Sequence, residues 1–431
     1  MTQLQTFLLV GGGSAYAPGL VDALIAQSDR HDLDTVRLYD IDPERLEIVA
    51  RLCSKLAATR GEPFEVEATT DPVEAVRDVD VLLNSSRPGG FECRKIDETL
   101  PLELGVPGQE TVGPGGFFFA LRSVPAAMEL AGHVARHAPD AIWLNYTNPT
   151  NIVTQALVDE TDLDVIALCD QSDEDLEALV AALDLDDQTP YDFDCSGLNH
   201  ATFYRDVRLG GEPLPDEVFR VDAPAYYDEE HKLRFRLSQR VAKKEGDVWP
   251  NSYLPYYWWP EKFVELARRE GTRTEAILEG LDDYYAHFEE EASKEKPELR
   301  HYRGSHGFGD MAVDVIAALS SDEGDTVVLN VPNRGMSDDF DDATVIEAPV
   351  HVDEEGVERR EAPPLPASGQ GLLDALEVYQ RKTAEAAVSG SASDLVDALA
   401  ANPLIDGRPM AEKMLLRARD EYADHLPSSS G

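Results

Sequence analysis

Short apolar runs recur along the first half of the chain, each closed by polar or turn-forming residues. TFLLV (6–10) meets the glycine-rich turn GGGSAYAPG, LVDALIAQ (20–27) follows with helical periodicity, and TVRLYD (35–40) reads as the next strand. DVDVLLNSS (78–86), PDAIWLNYTNP (139–149) and LDVIALCD (163–170) continue the series at intervals that leave room for helices. Strands alternating with helices predict the α/β class, with a parallel, doubly wound sheet over residues 1–195.

The second half, 196–431, is less regular. RFRLSQRVAKKE (234–245) and EKFVELARREGTRTEAILEGLDDYYAHFEEEA (261–292) read as helical, DTVVLNVPN (325–333) and ATVIEAPVHVD (343–353) as strands. LLDALEVYQRKTAEAAV and AEKMLLRARDEYADHL close the chain as helices. DEEGVERREAPPLPASGQG (353–371) reads as an exposed loop, and the tail PSSSG as frayed. The stretch 85–123, rich in glycine and polar groups, is long enough to read as a functional loop. There are no internal repeats.

At 431 residues two domains are the default, and 42% hydrophobic residues are enough for a globular fold. No apolar run is long enough to span a bilayer. MTQLQTFLLVGGG lacks a basic leader and a cleavage site, and so reads as a first strand. Four irregularly spaced cysteines make no disulfide framework, which predicts a reduced, cytoplasmic protein. The net charge of −45 comes from acidic residues spread along the chain, not gathered in a tail. Such a surface repels nucleic acid and anionic membranes, so neither is an expected partner. It predicts a halophilic protein that is destabilised at low salt, where self-repulsion is unscreened. An anionic substrate would need a local cationic pocket.

Gly11, Gly12, Gly13 and Ser14 stand between the first strand and its helix. A helix start offers unpaired N–H groups, and glycine lets a pyrophosphate approach the backbone. Asp40 ends the second strand, where a carboxylate accepts from an adenosine ribose; an acidic residue there favours NAD over NADP. The pattern departs from GxGxxG in one place, with Tyr16 at the third glycine.

Further along, RPGG (87–90), GQETVGPGG (108–116), NYTNP (145–149), Cys169-Asp170, GLNH (197–200) and NSYLPYY (251–257) follow in order. Together with GGGS (11–14), they resemble glycoside hydrolase family 4, the NAD- and manganese-dependent glycosidases. RGSHGFGDMAVDVIAAL (303–319) and LNVPNRG…TVIEAP extend the resemblance over nearly the whole chain. It implies a Rossmann-like NAD domain and a C-terminal α/β (α+β) domain for substrate, metal and oligomerisation, in a lactate/malate-dehydrogenase-type architecture. A homodimer or homotetramer is expected.

The resemblance implies an oxidation–elimination–addition–reduction route with net hydrolysis. NAD takes a hydride from C3 of the sugar, a tyrosine removes the C2 proton, the aglycone leaves C1, water adds and the hydride returns. Tyr253 matches the base and Asp170 is the candidate acid for the leaving oxygen. Cys169 and His200, each closing an apolar segment, match the ligands of Mn2+ or another divalent transition metal. Taken singly, they read as a core thiol and a loop histidine; thiolate plus imidazole suits a borderline metal with positions open to sugar hydroxyls. Glu110 and Asn148 are expected to bind hydroxyls, and Asn145 to brace its loop. Arg94, with Arg87 and Arg273 as further candidates, would pair with a 6-phosphate. A nearby cation would lower the Tyr253 pKa.

Aspartate after the cysteine resembles the 6-phospho-α-glucosidases; the following Gln171-Ser172 departs from them. The expected partner is a small-molecule glycoside, 6-phosphorylated in this reading. Action on 6-phospho-β-glucosides, or on unphosphorylated α-glycosides or galacturonides, is the alternative. An NAD-dependent dehydrogenase of the lactate/malate type, or a non-catalytic NAD or sugar sensor, would belong to other classes.

Overall fold

The computed structural model describes residues 4–300, 308–422 and 426. Six strands build the first half: β1 (Thr6–Val10), β2 (Thr35–Tyr39), β3 (Glu65–Thr69), β4 (Val81–Asn84), β5 (Ile142–Asn145) and β6 (Asp164–Ala167). They pair in parallel in the order β3-β2-β1-β4-β5-β6, the order of a dinucleotide-binding sheet. Both faces of this sheet are covered, and β4 is buried at all four positions.

The second half adds β7 (Tyr191–Leu198), β8 (Ala201–Leu209), β9 (Glu212–Pro213), β10 (Val248–Pro250), β11 (Asp325–Pro332), β12 (Val345–Asp353) and β13 (Gly356–Arg359). All join the same sheet, in the order β10-β8-β7-β12-β11-β6, with β13 on β12 and β9 on β8. The pair β11–β12 is therefore inserted between β6 and β7. Residue 195, the predicted domain boundary, lies within β7.

Three expectations change. The stretch 85–123 is mostly helical: Gly90–Glu103 and Pro114–His137 are helices joined by ten residues. Gly89, Gly90 and Gly113 adopt positive φ at the helix starts, and the Phe117–Phe119 run is buried. The helical stretch 261–292 is three helices, Pro260–Glu270, Arg273–Leu278 and Leu281–Ser293. Gly271 at φ +87 ends the first, and a Thr272–Glu275 capping box starts the second. The loop predicted over 353–371 contains β13, which forms a hairpin with β12. The predicted frayed tail lies outside the described residues, as do residues 303–307 of RGSHGFG.

Candidate active site

The glycine turn is fixed by hydrogen bonds to the end of β2, to Asp40 and to its own first carbonyl. The N–H groups of Gly11 and Gly12 both donate to the Tyr39 carbonyl at 2.9 Å, and Gly13 N–H donates to Asp40 Oδ2 at 2.9 Å. Gly11 sits at φ +88, and a Cβ on Gly12 would lie 2.7 Å from that of Leu38. The helix Ala17–Ala26 begins directly after. The Ser14 hydroxyl is buried with no hydrogen-bond partner, and the Tyr285 hydroxyl donates to Gly13 O at 2.9 Å. Ser14 N–H donates to Gly11 O at 3.0 Å, so all four N–H groups of the turn are engaged, and it is the orphan Ser14 hydroxyl and the helix start that fit a pyrophosphate. Asp40 also accepts from Asp42 N–H at 3.0 Å; burial raises its pKa while these N–H bonds lower it.

Cys169 lies two residues beyond the end of β6, and His200 occupies the two-residue turn between β7 and β8. His200 adopts φ +62, a strained conformation that turns its ring toward the thiol. Cys169 Sγ and His200 Nε2 are 3.4 Å apart, and both residues are buried. Metal bonds of about 2.3 Å to sulfur and about 2.0–2.1 Å to nitrogen place two adjacent ligand atoms about 3–3.6 Å apart, so the pair fits one ion. Burial lowers the His200 pKa to about 3, helped by Arg234, and so keeps the imidazole neutral. Burial raises the Cys169 thiol, with Glu347 and Asp170 adding to the effect and Asn199 opposing it. His200 Nδ1 has no partner. Among the described residues no three His, Cys, Asp or Glu side chains converge on one point.

The Tyr253 ring stacks on His200, with centroids 4.3 Å apart and planes at 15°. The Arg234 guanidinium carbon lies 3.7 Å from the same ring's centroid. Arg234 is held by Ser252, whose hydroxyl and carbonyl both accept from it, and Ser252 N–H donates to Asp175 at 2.9 Å. Arg234 is the expected cation, but burial outweighs it and the Tyr253 phenol is raised, not lowered as the sequence implied.

A cleft of about 890 Å³ gathers Arg94, Glu110, Asn148, Cys169, Asp170, His200, Tyr253 and Arg273 along its walls. Gly11–Ser14 and Asp40 lie outside those walls; Ser85, whose carbonyl would be 3.0 Å from a Cβ on Gly11, connects the two. Asp170 precedes the helix Gln171–Ala182 and is half-buried. Asn148 Oδ1 accepts from the Thr150 hydroxyl at 2.9 Å, and Asn145 Nδ2 donates to Thr147 O at 3.1 Å and Thr154 Oγ1 at 3.2 Å. Asn145 thus braces the turn.

The cations are less available than the sequence alone implies. Arg94 is buried between Glu98 at 2.9 Å and Glu110 at 3.0 Å, and Arg87 meets Glu110 at 2.6 Å. Arg273 is 53% exposed, with Asp228 at 3.8 Å. Sequence reading passed over Arg234 itself, which is hidden in a polar helical stretch whose arginines look alike.

A dinucleotide-type sheet beside a cleft holding a thiol–imidazole pair defines a cofactor-dependent α/β enzyme. The chain belongs to the family 4 glycosyl hydrolases: the model for "Family 4 glycosyl hydrolase" matches residues 7–184, and that for its C-terminal domain matches residues 195–405. It is 30% identical to the "Probable 6-phospho-beta-glucosidase" of Bacillus subtilis, over 99% of this chain and 98% of that one. It is also 30% identical to "6-phospho-alpha-glucosidase 1" of Lacticaseibacillus paracasei, over 95% of each chain. A crystal structure of a 6-phospho-alpha-glucosidase from gut microorganisms, in complex with NAD and Mn2+, is 25% identical. It superposes with a TM-score of 0.90, covering 99% of this chain and 100% of that one. Malate dehydrogenase from Plasmodium falciparum shares the fold alone, at 11% identity and a TM-score of 0.58. The dehydrogenase expectation therefore holds for architecture and not for activity.

Proposed function

We propose that this family 4 enzyme hydrolyses 6-phospho-α-glucosides with the help of NAD and Mn2+. The observation that carries the reading is the contiguous set Cys169–His200–Tyr253, with Asp170 beside it in the same cleft. The relatives named for 6-phosphoglucosides, and a neighbour holding NAD and Mn2+, support the substrate class and both cofactors. When bound, NAD accepts and returns a hydride at C3 of the sugar while the metal ion supplies Lewis acidity to the adjacent oxygens.

In this reading the chain's own groups do the following. Gly11, Gly12, Gly13 and Ser14 cradle the pyrophosphate, and Asp40 takes the ribose hydroxyls. Cys169 and His200 would hold the metal in the cleft. Tyr253 removes the C2 proton, its phenolate favoured by the Arg234 charge. Asp170 gives a proton to the oxygen leaving C1. Glu110 and Asn148 hold sugar hydroxyls and orient the ring. Arg273, the most exposed of the cleft's guanidiniums described above, meets the 6-phosphate first, and Arg94 does so by sharing with Glu110.

The α preference rests on Asp170 following the metal cysteine. We further propose an NAD domain over 1–195, a substrate and oligomerisation domain over 196–431, a homodimer or homotetramer, and a halophilic, cytoplasmic setting. A panel of chromogenic α- and β-glucosides, with and without a 6-phosphate, tests the function. Turnover of the 6-phospho-α-glucoside with no net NADH is expected. Turnover of unphosphorylated glycosides alone would overturn the phosphate reading. Product formed in heavy water should carry deuterium at C2.

A further inference from the structure

Glu347, on β12, is 1% exposed and lies outside the cleft walls. Its carboxylate accepts from Asn199 Nδ2 at 2.9 Å, from Asn330 Nδ2 at 3.1 Å and from the Thr202 hydroxyl. All three donors are neutral, and among the described residues Glu347 has no ion-pair partner. A fully buried carboxylate without a cation is costly: burial pushes the Glu347 pKa up against the pull of its three hydrogen bonds, and a positive charge nearby is what would hold it ionised.

Its position shows where that charge would lie. Glu347 is in register with Gly197 of β7 and with Asn330 of β11, and Asn330 is in register with Ala167 of β6. Asn199 shares the two-residue turn with His200, Thr202 lies in β8 just after it, and Ala167 ends the strand that leads into Cys169. Glu347 and Asn330 therefore tie together the two strands that deliver Cys169 and His200.

We propose that Glu347 is a positioning residue for the metal pair: it fixes the His200 turn and supplies the buried negative charge that a divalent cation at Cys169 and His200 offsets. The inference rests on the metal reading given above. A carboxylate one residue removed from the ligands raises metal affinity through orientation and charge, and losing such a partner typically weakens binding about 10–100-fold. It also predicts opposite effects on two measurements. With no metal present the charge has nothing to offset it, so neutralising it should not weaken the metal-free fold.

The test is Mn2+ titration of the metal-free full chain by calorimetry, together with its thermal midpoint, for wild type, Glu347→Gln and Glu347→Asp. Glu347→Gln should raise the Mn2+ Kd at least about tenfold and leave the metal-free midpoint equal or higher. Glu347→Asp keeps the charge and should bind Mn2+ more tightly than Glu347→Gln. Wild-type affinity in Glu347→Gln would overturn the inference and leave the metal reading intact. So would a Glu347→Gln chain that fails to fold, or a parallel loss of metal-free stability and affinity, because a structural role alone would produce either. Failure of the wild type to take up Mn2+ would overturn the metal reading itself, and this inference with it.

Discussion

Arg234 places its guanidinium carbon 3.7 Å from the centroid of the Tyr253 ring, while that ring also stacks on His200. The cation lies over the ring, so it favours negative charge on the phenol without accepting its proton. Arg234→Met should lower kcat, but by less than loss of the Tyr253 base itself, which is worth about 10²–10⁴-fold. Arg234→Lys should retain more activity than Arg234→Met, because it keeps the charge, and less than wild type, because it loses the two bonds to Ser252. Steady-state kinetics with saturating cofactors decide it. Equal kcat in wild type and Arg234→Met would separate the cation from the proton transfer.

The 3.4 Å approach of Cys169 to His200 predicts that neither ligand suffices alone. Cys169→Ser and His200→Asn should each lose at least about tenfold in Mn2+ affinity. Chelator treatment should abolish wild-type turnover, and added Mn2+ should restore it. Calorimetric titration of each variant gives the comparison. Unchanged binding in both would place the ion elsewhere.

Asp173 offers a pH-dependent test away from the ligands. Burial raises its pKa from 3.8 to about 6, the Asp170 and Asp314 charges add to the rise, and the Tyr191 hydroxyl at 3.1 Å opposes it. The folded carboxyl thus holds its proton to a higher pH than the unfolded one. Its favourable contribution is complete below the unfolded value and is lost as pH rises through about 6. Asp173→Asn should therefore be more stable than wild type at pH 7 by about 1–3 kcal/mol, since each tenfold difference in proton affinity between the folded and unfolded chain is worth about 1.4 kcal/mol. That gain should shrink toward zero near pH 4. Denaturant unfolding of both proteins at fixed salt tests it, and a gain independent of pH would refute it.

Charge on the whole molecule gives a further expectation. With a net charge of −45, lowering the salt lengthens the range over which carboxylates repel one another. The thermal midpoint should rise from about 0.1 M KCl and level off near about 1 M, where the Debye length has fallen to about 3 Å. A midpoint that is flat or falling with KCl would remove the halophilic reading.

Several elements were legible in the sequence because local pattern and tertiary role agree in them. The TFLLV run is β1, and the residues around Gly11 lie where strand, turn and helix must follow one another. Cys169 and His200 were legible only in combination, since a buried thiol and a turn histidine carry no signal of the 3.4 Å between them. The helices Gly90–Glu103 and Pro114–His137 were hidden because they bury polar groups. Arg94, Asp97, Glu98 and Arg122 are all buried there, and Arg122 makes paired bonds to Asp97 at 3.0 and 2.7 Å. A polar pattern looks like a loop unless the partners are known. Arg234 escaped notice for the same reason, lying at 3% exposure in a helix whose other cations reach water.

The insertion of β11 and β12 between β6 and β7 bears on how the protein is made. Cys169 and His200 are synthesised within 31 residues of each other, yet the strands that present them are separated by two strands drawn from residues 325–353. A growing chain that has not reached residue 353 carries both donors and lacks the strands that set their spacing. The pair exists only once residues 325–353 have been added, so a metal-loading assay on nascent chains would switch on abruptly after those strands emerge rather than when His200 does.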